Sequence, residues 1–155
     1  MFTPEALHAL EQRAFALGTE ADSLMEEAGQ LMANAVRQFH PRPGVCLAVF
    51  GRGHNGGDAL VAGRILAAQG WRLLCLPAYP SAEWAPLTTR QFERLERFET
   101  LVPEVLTDWQ PDPDTPCIIL DGLLGIGAKG PLRPPLRALC QALNGPHRRQ
   151  GDQSP

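Results

Sequence analysis

Residues 45–69 read VCLAVFGRGHNGGDALVAGRILAAQ, a pattern of strand, glycine-rich turn and helix. Its first six residues, 45–50, are apolar and rich in β-formers, which predicts a buried strand. Residues 57–69 carry apolar side chains at helical spacing and are followed by Gly70, which predicts a helix. The four-glycine turn between them leaves backbone N–H groups at a helix N-terminus, where they and the helix dipole attract anionic groups.

The turn itself, 51–58, allows more than one interpretation. Its glycines fit G-x-G-x-x-G loosely, and no Lys-Ser/Thr pair follows, so it is not a Walker A phosphate loop. A carboxylate such as Asp58 would repel a pyrophosphate, so Asn55 and Asp58 suit a cation, a ribose hydroxyl or an amide better. The alternative is purely structural: Asp58 caps the helix and Asn55 forms the turn.

The composition and charge of the chain exclude several classes of function. The chain has 155 residues, enough for one domain with a real core, and a hydrophobic content of 44%. A net charge of −3 without a basic run argues against a nucleic-acid partner. No stretch is long enough to cross a bilayer, and 1–9 show no secretory signal. The four cysteines lack metal-ligand spacing, so we expect buried, reduced thiols and a cytoplasmic location.

The rest of the chain predicts further alternation of helices and strands. Two helices precede the first strand: one from Thr3 to about residue 17, and one beginning near Asp22. An apolar stripe on the second helix packs on the sheet or, alternatively, forms a symmetric dimer contact; it comprises Leu24, Ala28, Leu31, Met32 and Ala35. A strand at 71–76 completes a β-α-β unit, for which a parallel sheet is the default. A loop at 79–86, a helix capped by Thr88 or Thr89 and running to about 98, and a short edge strand at 100–102 follow.

A second glycine-rich loop follows a second buried strand. Residues 117–120 are wholly apolar, which is typical of a strand covered on both faces of a parallel sheet. They lead into DGLLGIGAKGP at 121–131, and a helix at 132–144 follows. Asp121 therefore stands at the carboxyl end of a strand, where ligands bind in open α/β sheets. Alternatively, its carboxylate caps a helix or orders the loop.

The two loops together resemble those of the YjeF N-terminal domain family. Residues 51–62, GRGHNGGDALVA, are similar to the family signature G-x-G-N-N-G-G-D-G-L-V-A. Residues 121–127, DGLLGIG, resemble its second loop, commonly D-A-L-F-G-T-G. The resemblance covers roughly residues 3–144 and implies a three-layer α/β/α Rossmann-like fold with a mostly parallel sheet and two N-terminal helices. We therefore expect one such domain over 1–144 and a polar tail over 145–155.

The resemblance also implies a function. Proteins of this family are NAD(P)H-hydrate epimerases, which convert the R form of hydrated NADH or NADPH to the S form. Asn55 and Asp121 would hold a potassium ion. A functional link to an ADP- or ATP-dependent NAD(P)H-hydrate dehydratase is also implied. Carried over by position, the substrate-binding residues would be His54, Asn55, Gly56, Gly57 and Asp58 in the first loop, and Gly125, Ile126, Gly127, Ala128, Lys129, Gly130 and Pro131 in the second.

The sequence departs from the family pattern in two places. His54 stands where the family usually has Asn, which would make one substrate contact pH-sensitive. In the family a further strand after Asn144 runs into a D-x-P-S-G loop with an acidic residue, and that motif is absent here. We therefore expect the last strands and the catalytic acid to be missing, and the strand at 117–120 to lie near an unprotected edge.

Two alternative functions stay open at this point. A non-catalytic nucleotide-binding module, or an inactive fragment of the epimerase, would keep both loops without the catalytic acid. An unrelated Rossmann-type oxidoreductase would need an acid about twenty residues past the glycine loop to bind the ribose. The strand at 71–76 is followed by no acid before Glu83, which counts against the oxidoreductase.

Overall fold

The computed structural model describes residues 3, 6, 9, 21–107 and 112–144. The predicted first helix lies almost wholly outside the described residues, and so does the predicted tail at 145–155. At its start, the backbone N–H of Ala6 donates to Thr3 Oγ1 at 3.2 Å, the bond that an N-cap threonine makes.

A four-stranded parallel sheet forms the centre of the molecule. The strands are β1 (Val45–Phe50), β2 (Arg72–Pro77), β3 (Glu99–Thr100) and β4 (Cys117–Gly122). Their order is β3-β2-β1-β4, and every pairing is parallel. The β-α-β expectation is confirmed, and β1, which precedes the glycine turn, is a central strand.

Helices cover both faces of the sheet. They are α1 (Ala21–Phe39), α2 (His54–Ala68), α3 (Pro86–Glu93) and α4 (Leu136–Leu143). Side chains of the first three helices pack on one face, in a core that includes Ala33, Leu60 and Phe92. Leu139 of α4 packs on the other face with Leu47. The three-layer Rossmann-like fold is therefore confirmed, and no helix in the described part of the chain could span a membrane.

Three predicted helix boundaries were wrong. Helix α2 begins at His54, so most of the predicted turn is its first turn. Helix α3 begins at Pro86 rather than at a Thr88 or Thr89 cap, and α4 begins at Leu136 rather than at 132. Proline suits the first position of a helix, and the residue before a proline avoids the helical conformation. Prolines at 134 and 135 therefore exclude 132–134 from α4.

The buried face of α1 is rotated by about one residue from the predicted stripe. Its buried residues are Met25, Gly29 and Ala33, whereas Leu31 is 69% exposed. A Cβ added at Gly29 would collide with the side chain of Val61 on α2. The two helices therefore approach at a small residue, and ranking residues by apolar size placed the contact one position off.

Ion pairs hold α1 to its neighbours. Arg94 donates from Nη1 and Nη2 to the two carboxylate oxygens of Asp22 at 3.0 and 2.8 Å, and Gln91 Nε2 donates to Oδ1 at 2.6 Å. Arg64 on α2 binds Glu26 on α1 at 2.6 Å. The hydrogen bond from Arg94 lowers the pKa of Asp22 below its usual 3.8. This contribution to stability is present above pH 3.8 and is lost as the pH falls through the lowered pKa.

Strand β4 is not covered on both faces, contrary to the expectation from its composition. It lies at one end of the sheet, and Ile119 is 45% exposed. An apolar run identifies a strand but does not report its place in the sheet. The expectation that 117–120 lies at an edge is confirmed for the described strands.

Glycines permit the corner at which β1 passes into α2. A Cβ added at Gly56 would lie 2.5 Å from the backbone oxygen of Gly51. A Cβ added at Gly122 would lie 2.8 Å from the backbone oxygen of Asn55. The first turn of α2 is therefore packed directly against the carboxyl ends of both β1 and β4.

We predict that Gly56→Ala lowers the free energy of unfolding by about 2–3 kcal/mol, because the new methyl group would overlap a backbone oxygen that cannot rotate away. Gly53→Ala is the matched control, since a Cβ there meets nothing within 4 Å. At that N-cap position the change should cost less, about 0.5–1 kcal/mol, because alanine is a poorer N-cap than glycine. Urea denaturation of both variants measures the difference, and equal stabilities would contradict the packing described.

Candidate functional site

A cleft of about 590 Å³ opens at the carboxyl ends of β1, β2 and β4. One wall is the first turn of α2, and the opposite wall is the loop after β4. Tyr79, which follows β2, completes the site. The lining residues are Arg52, Gly53, His54, Asn55, Asp58, Tyr79, Gly122, Leu123, Leu124, Gly125, Ile126, Gly127 and Ala128.

The start of α2, which forms one wall of the cleft, is hydrogen-bonded to the segment around the start of α3. The backbone N–H of Ala85 donates to the carbonyl of Arg52 at 2.8 Å. The hydroxyl of Thr88, which is fully buried, donates to the carbonyl of Gly53 at 2.9 Å. Gly53 is the N-cap of α2 and provides no side-chain cap. These two bonds therefore hold the start of α2 in place, with its positive dipole end at the cleft.

The second wall is joined to the first by Asn55. Its Nδ2 donates to the carbonyl of Leu124 at 2.9 Å, across the cleft floor. The backbone N–H of Gly51 donates to the carbonyl of Gly122 at 3.0 Å, which continues the β1–β4 pairing into the loops. Asn55 is therefore a bridge between the two loops and not only a turn former.

The structural alternatives for the two aspartates have different outcomes. Asp58 lies inside α2, and the N-cap is Gly53, so Asp58 does not cap the helix. Asp121 Oδ1 accepts a hydrogen bond from the backbone N–H of Leu123 at 3.0 Å. The alternative that Asp121 orders the loop is therefore confirmed, and this role is compatible with ligand binding.

The cleft brings part of the predicted substrate site together. His54, Asn55 and Asp58 meet 125–128 across the cleft. Gly56 and Gly57 are buried beneath this wall. Outside the described lining are Lys129, Gly130, Pro131 and Asp121. The substrate contacts of all these residues stay a prediction.

Sequence analysis missed several lining residues. Arg52 occupies a variable position of the glycine motif, and Tyr79 lies in the predicted loop at 79–86, so neither pattern indicates a ligand contact. Tyr79 comes two residues after β2, at the edge of the sheet where the glycine turn also lies. The rule that ligands gather at the carboxyl ends of parallel strands could therefore have identified it.

The predicted potassium ligands differ in their placement. The Nδ2 of Asn55 donates to the carbonyl of Leu124, and the Oδ1 of the same amide is an acceptor. Amide and carboxylate oxygens are suitable ligands for a hard cation. Gly122 contacts α2, so strand alternation directs the side chain of Asp121 toward the opposite face. Among the described residues, no three His, Cys, Asp or Glu side chains form a metal-binding group. The donor chemistry fits potassium, and ligation by this pair stays a prediction.

The cysteines take no part in the cleft. Cys46 and Cys75 are buried in the sheet, and burial raises the pKa of each thiol to about 12. Cys117 is half-buried, and its pKa is raised for the same reason. A thiol that stays protonated near neutral pH is a poor nucleophile, so these three side chains act as apolar packing.

The sequence and the fold of this chain both match known proteins. The family model described as "YjeF-related protein N-terminus" matches residues 21–150. The chain belongs to this family. A crystal structure titled yeast ynu0, YNL200c, has the same fold, with a TM-score of 0.77 at 23% sequence identity. That alignment covers 91% of this chain and 63% of the yeast chain.

Curated relatives carry two related names. A "Bifunctional NAD(P)H-hydrate repair enzyme Nnr" of Methanospirillum hungatei is 34% identical over 150 residues, which are 93% of this chain and 30% of that protein. An "NAD(P)H-hydrate epimerase" of Bordetella pertussis is 31% identical over 150 residues, covering 90% of this chain and 58% of that protein. An epimerase of Cenarchaeum symbiosum is 32% identical, with 90% and 65% covered. The chain thus spans from about a third to about two thirds of these relatives.

Proposed function

We propose that this chain binds hydrated NAD(P)H and takes part in converting its R form to the S form. Family membership and the names of the relatives support this function. The observation that carries it is the cleft itself, which joins residues of both family loops through the bond from Asn55 to Leu124. In this proposal 1–144 form the epimerase-type domain.

The two walls would bind different parts of the substrate. Residues 54–58 would contact the substrate beside the glycine turn, with Asn55 and Asp58 as hydrogen-bonding groups. Residues 125–131 would wrap the phosphates through backbone N–H groups, as glycine-rich loops do. Lys129 would add a charge at the outer end of this loop. The dipole of α2 favours the substrate's negative charge at the same cleft.

Epimerisation at C6 of the ring needs both breakage and re-formation of one carbon–oxygen bond. The protonated hydroxyl leaves as water, and the ring nitrogen delocalises the positive charge that remains. A water molecule then adds to the opposite face and returns the proton, so nothing is consumed. Such a route needs a proton-transfer group and shelter for the cation. In the described cleft, Leu123 and Ile126 provide apolar shelter, and we assign binding rather than catalysis to these residues.

The direct test is incubation of the protein with the R form of hydrated NADPH, followed by chromatography of both forms. We expect conversion faster than the spontaneous rate. Asn55→Ala should slow it by about tenfold or more, which corresponds to the loss of one contact of about 1.4 kcal/mol. Asn34→Ala, the same change on the exposed face of α1, should leave it unchanged.

The outcomes of this experiment separate two kinds of protein. No acceleration by the unaltered protein would contradict the enzymatic function of this chain. Saturable binding of hydrated NADPH without acceleration would instead indicate a nucleotide-binding module. Equal activities of the Asn55 and Asn34 variants would contradict the substrate contact assigned to Asn55.

We further propose that the site uses potassium, bound by oxygens of Asn55 and Asp121. The backbone of Asn55 contacts Gly122 at the end of β4. Although Asp121 leaves the other face of the strand, its carboxylate turns to the N–H of Leu123 beyond the strand end, so an ion there would adjoin both segments. When bound, the ion would supply positive charge beside the substrate. Its binding would also hold the two loops together, since each loop contributes one ligand.

Melting temperatures in potassium chloride and in sodium chloride of equal ionic strength test the ion. At a potassium concentration ten times its dissociation constant, binding adds about 1.4 kcal/mol, or a few degrees. Asp121→Ala should abolish this difference. Asp114→Ala, which removes an exposed carboxylate before the amino end of β4, should preserve it. Equal melting of the unaltered protein in both salts would contradict the potassium proposal.

This assignment suggests a partner activity. The Methanospirillum hungatei relative is named as a bifunctional repair enzyme. We propose that this chain acts with an ADP- or ATP-dependent dehydratase that consumes the S form, and that both act in the cytoplasm, where the nucleotide pool is used.

The predicted homodimer contact would form on the exposed side of α1, at residues such as Leu31.

A further inference from the structure

Three side chains form a rim at the β2 side of the cleft: Arg52, Tyr79 and Glu83. The guanidinium carbon of Arg52 lies 5.0 Å from the centroid of the Tyr79 ring. Arg52 Nη1 also donates to Glu83 Oε2 at 3.2 Å. A cation this close to an aromatic ring is attracted to it, so the ring and the carboxylate both favour this position of the guanidinium.

Arg52 supplies the only permanent positive charge in the described lining of the cleft. Its guanidinium has five N–H donors, and the hydrogen bond to Glu83 engages one of them. Both partners of this ion pair are about half exposed, at 61% and 47%, so the pair is weak. An incoming phosphate dianion would bind the guanidinium more strongly than one exposed carboxylate does.

The rim lies beside the glycine turn, at the carboxyl ends of β1 and β2. Tyr79 and Glu83 follow β2, whose carboxyl end adjoins that of β1 across the glycine turn. In dinucleotide-binding α/β proteins, the 2′ position of the adenosine ribose is read beside the glycine turn, by an acidic residue or by an arginine for a 2′-phosphate. This chain has one residue of each kind there, bonded to each other.

We propose that Arg52 binds the 2′-phosphate of the substrate's adenosine half, so that the cleft prefers NADP-type over NAD-type ligands. This inference rests on the proposed function for the identity of the substrate. Tyr79 and Glu83 position the guanidinium when no phosphate is present. When the phosphate binds, it displaces Glu83 and accepts two hydrogen bonds from the guanidinium in a bidentate arrangement.

The sign of the Glu83 effect follows from charge. Glu83 competes with the phosphate for Arg52 and also repels it, so Glu83→Gln should strengthen binding of the 2′-phosphate. Arg52→Gln should weaken it. A rim with a purely structural role would show neither effect, because both variants would then change all ligands alike.

Calorimetric titration with two probes, adenosine 2′,5′-bisphosphate and adenosine 5′-monophosphate, tests the proposal. We expect the bisphosphate to bind at least about tenfold more tightly, which corresponds to about 1.4 kcal/mol. Arg52→Gln should bring the ratio of the two dissociation constants to within about twofold of one. Glu83→Gln should raise the ratio, and Arg37→Gln, at the end of α1, should leave it unchanged.

Several results would overturn the proposal. They are equal affinities of the unaltered protein for the two probes, binding of neither probe, and an Arg52→Gln ratio equal to that of the unaltered chain. The epimerisation rates of hydrated NADPH and hydrated NADH then separate this inference from the proposed function. An Arg52-dependent preference without epimerisation would sink the function alone. Epimerisation of both substrates at rates that Arg52→Gln leaves in the same proportion would sink the inference alone.

Discussion

The cleft depends on one contact, between the first turn of α2 and the chain that leaves β4. The side-chain amide of Asn55 donates to the carbonyl of Leu124. The backbone oxygen of Asn55 occupies the space that a side chain at position 122 would need. Neighbouring parallel strands bring the two loops to the same edge of the sheet, but they do not fix the loops relative to each other. The amide of Asn55 does so, because it joins a helix terminus to an otherwise exposed loop.

The glycines follow from the same constraint. Gly56 lets the first turn of α2 pack on Gly51, and Gly51 and Gly122 let the end of β4 and its loop lie against that corner. Gly56 and Gly57, two of the glycines of the motif, are buried packing positions. A motif of this kind thus specifies the backbone path first, and the polar residues between its glycines can then face a ligand.

Much of the fold and about half of the candidate site could be predicted from the sequence. Strand composition and the two glycine loops predicted the parallel sheet and the cleft between the loops. Helix starts were missed because tight turns and first helical turns use the same residues, as at His54. The rotation of α1 was missed because Gly29 marks a close approach that hydrophobicity does not show. Arg52 and Tyr79 were missed because they meet only after β1 and β2 pair.

Hydrogen exchange in the loop after β4 shows whether the bond from Asn55 to Leu124 holds the two walls of the cleft together. Asn55→Asp keeps the size of the side chain but removes the donor and places a carboxylate against the carbonyl of Leu124. If Asn55 holds the two walls together, the amides of 123–128 should exchange about tenfold faster, reflecting a lost bond of about 1 kcal/mol or more. The amides of α4 should exchange as before. Unchanged exchange at 123–128 would contradict the account, since the loop would then be held by other contacts.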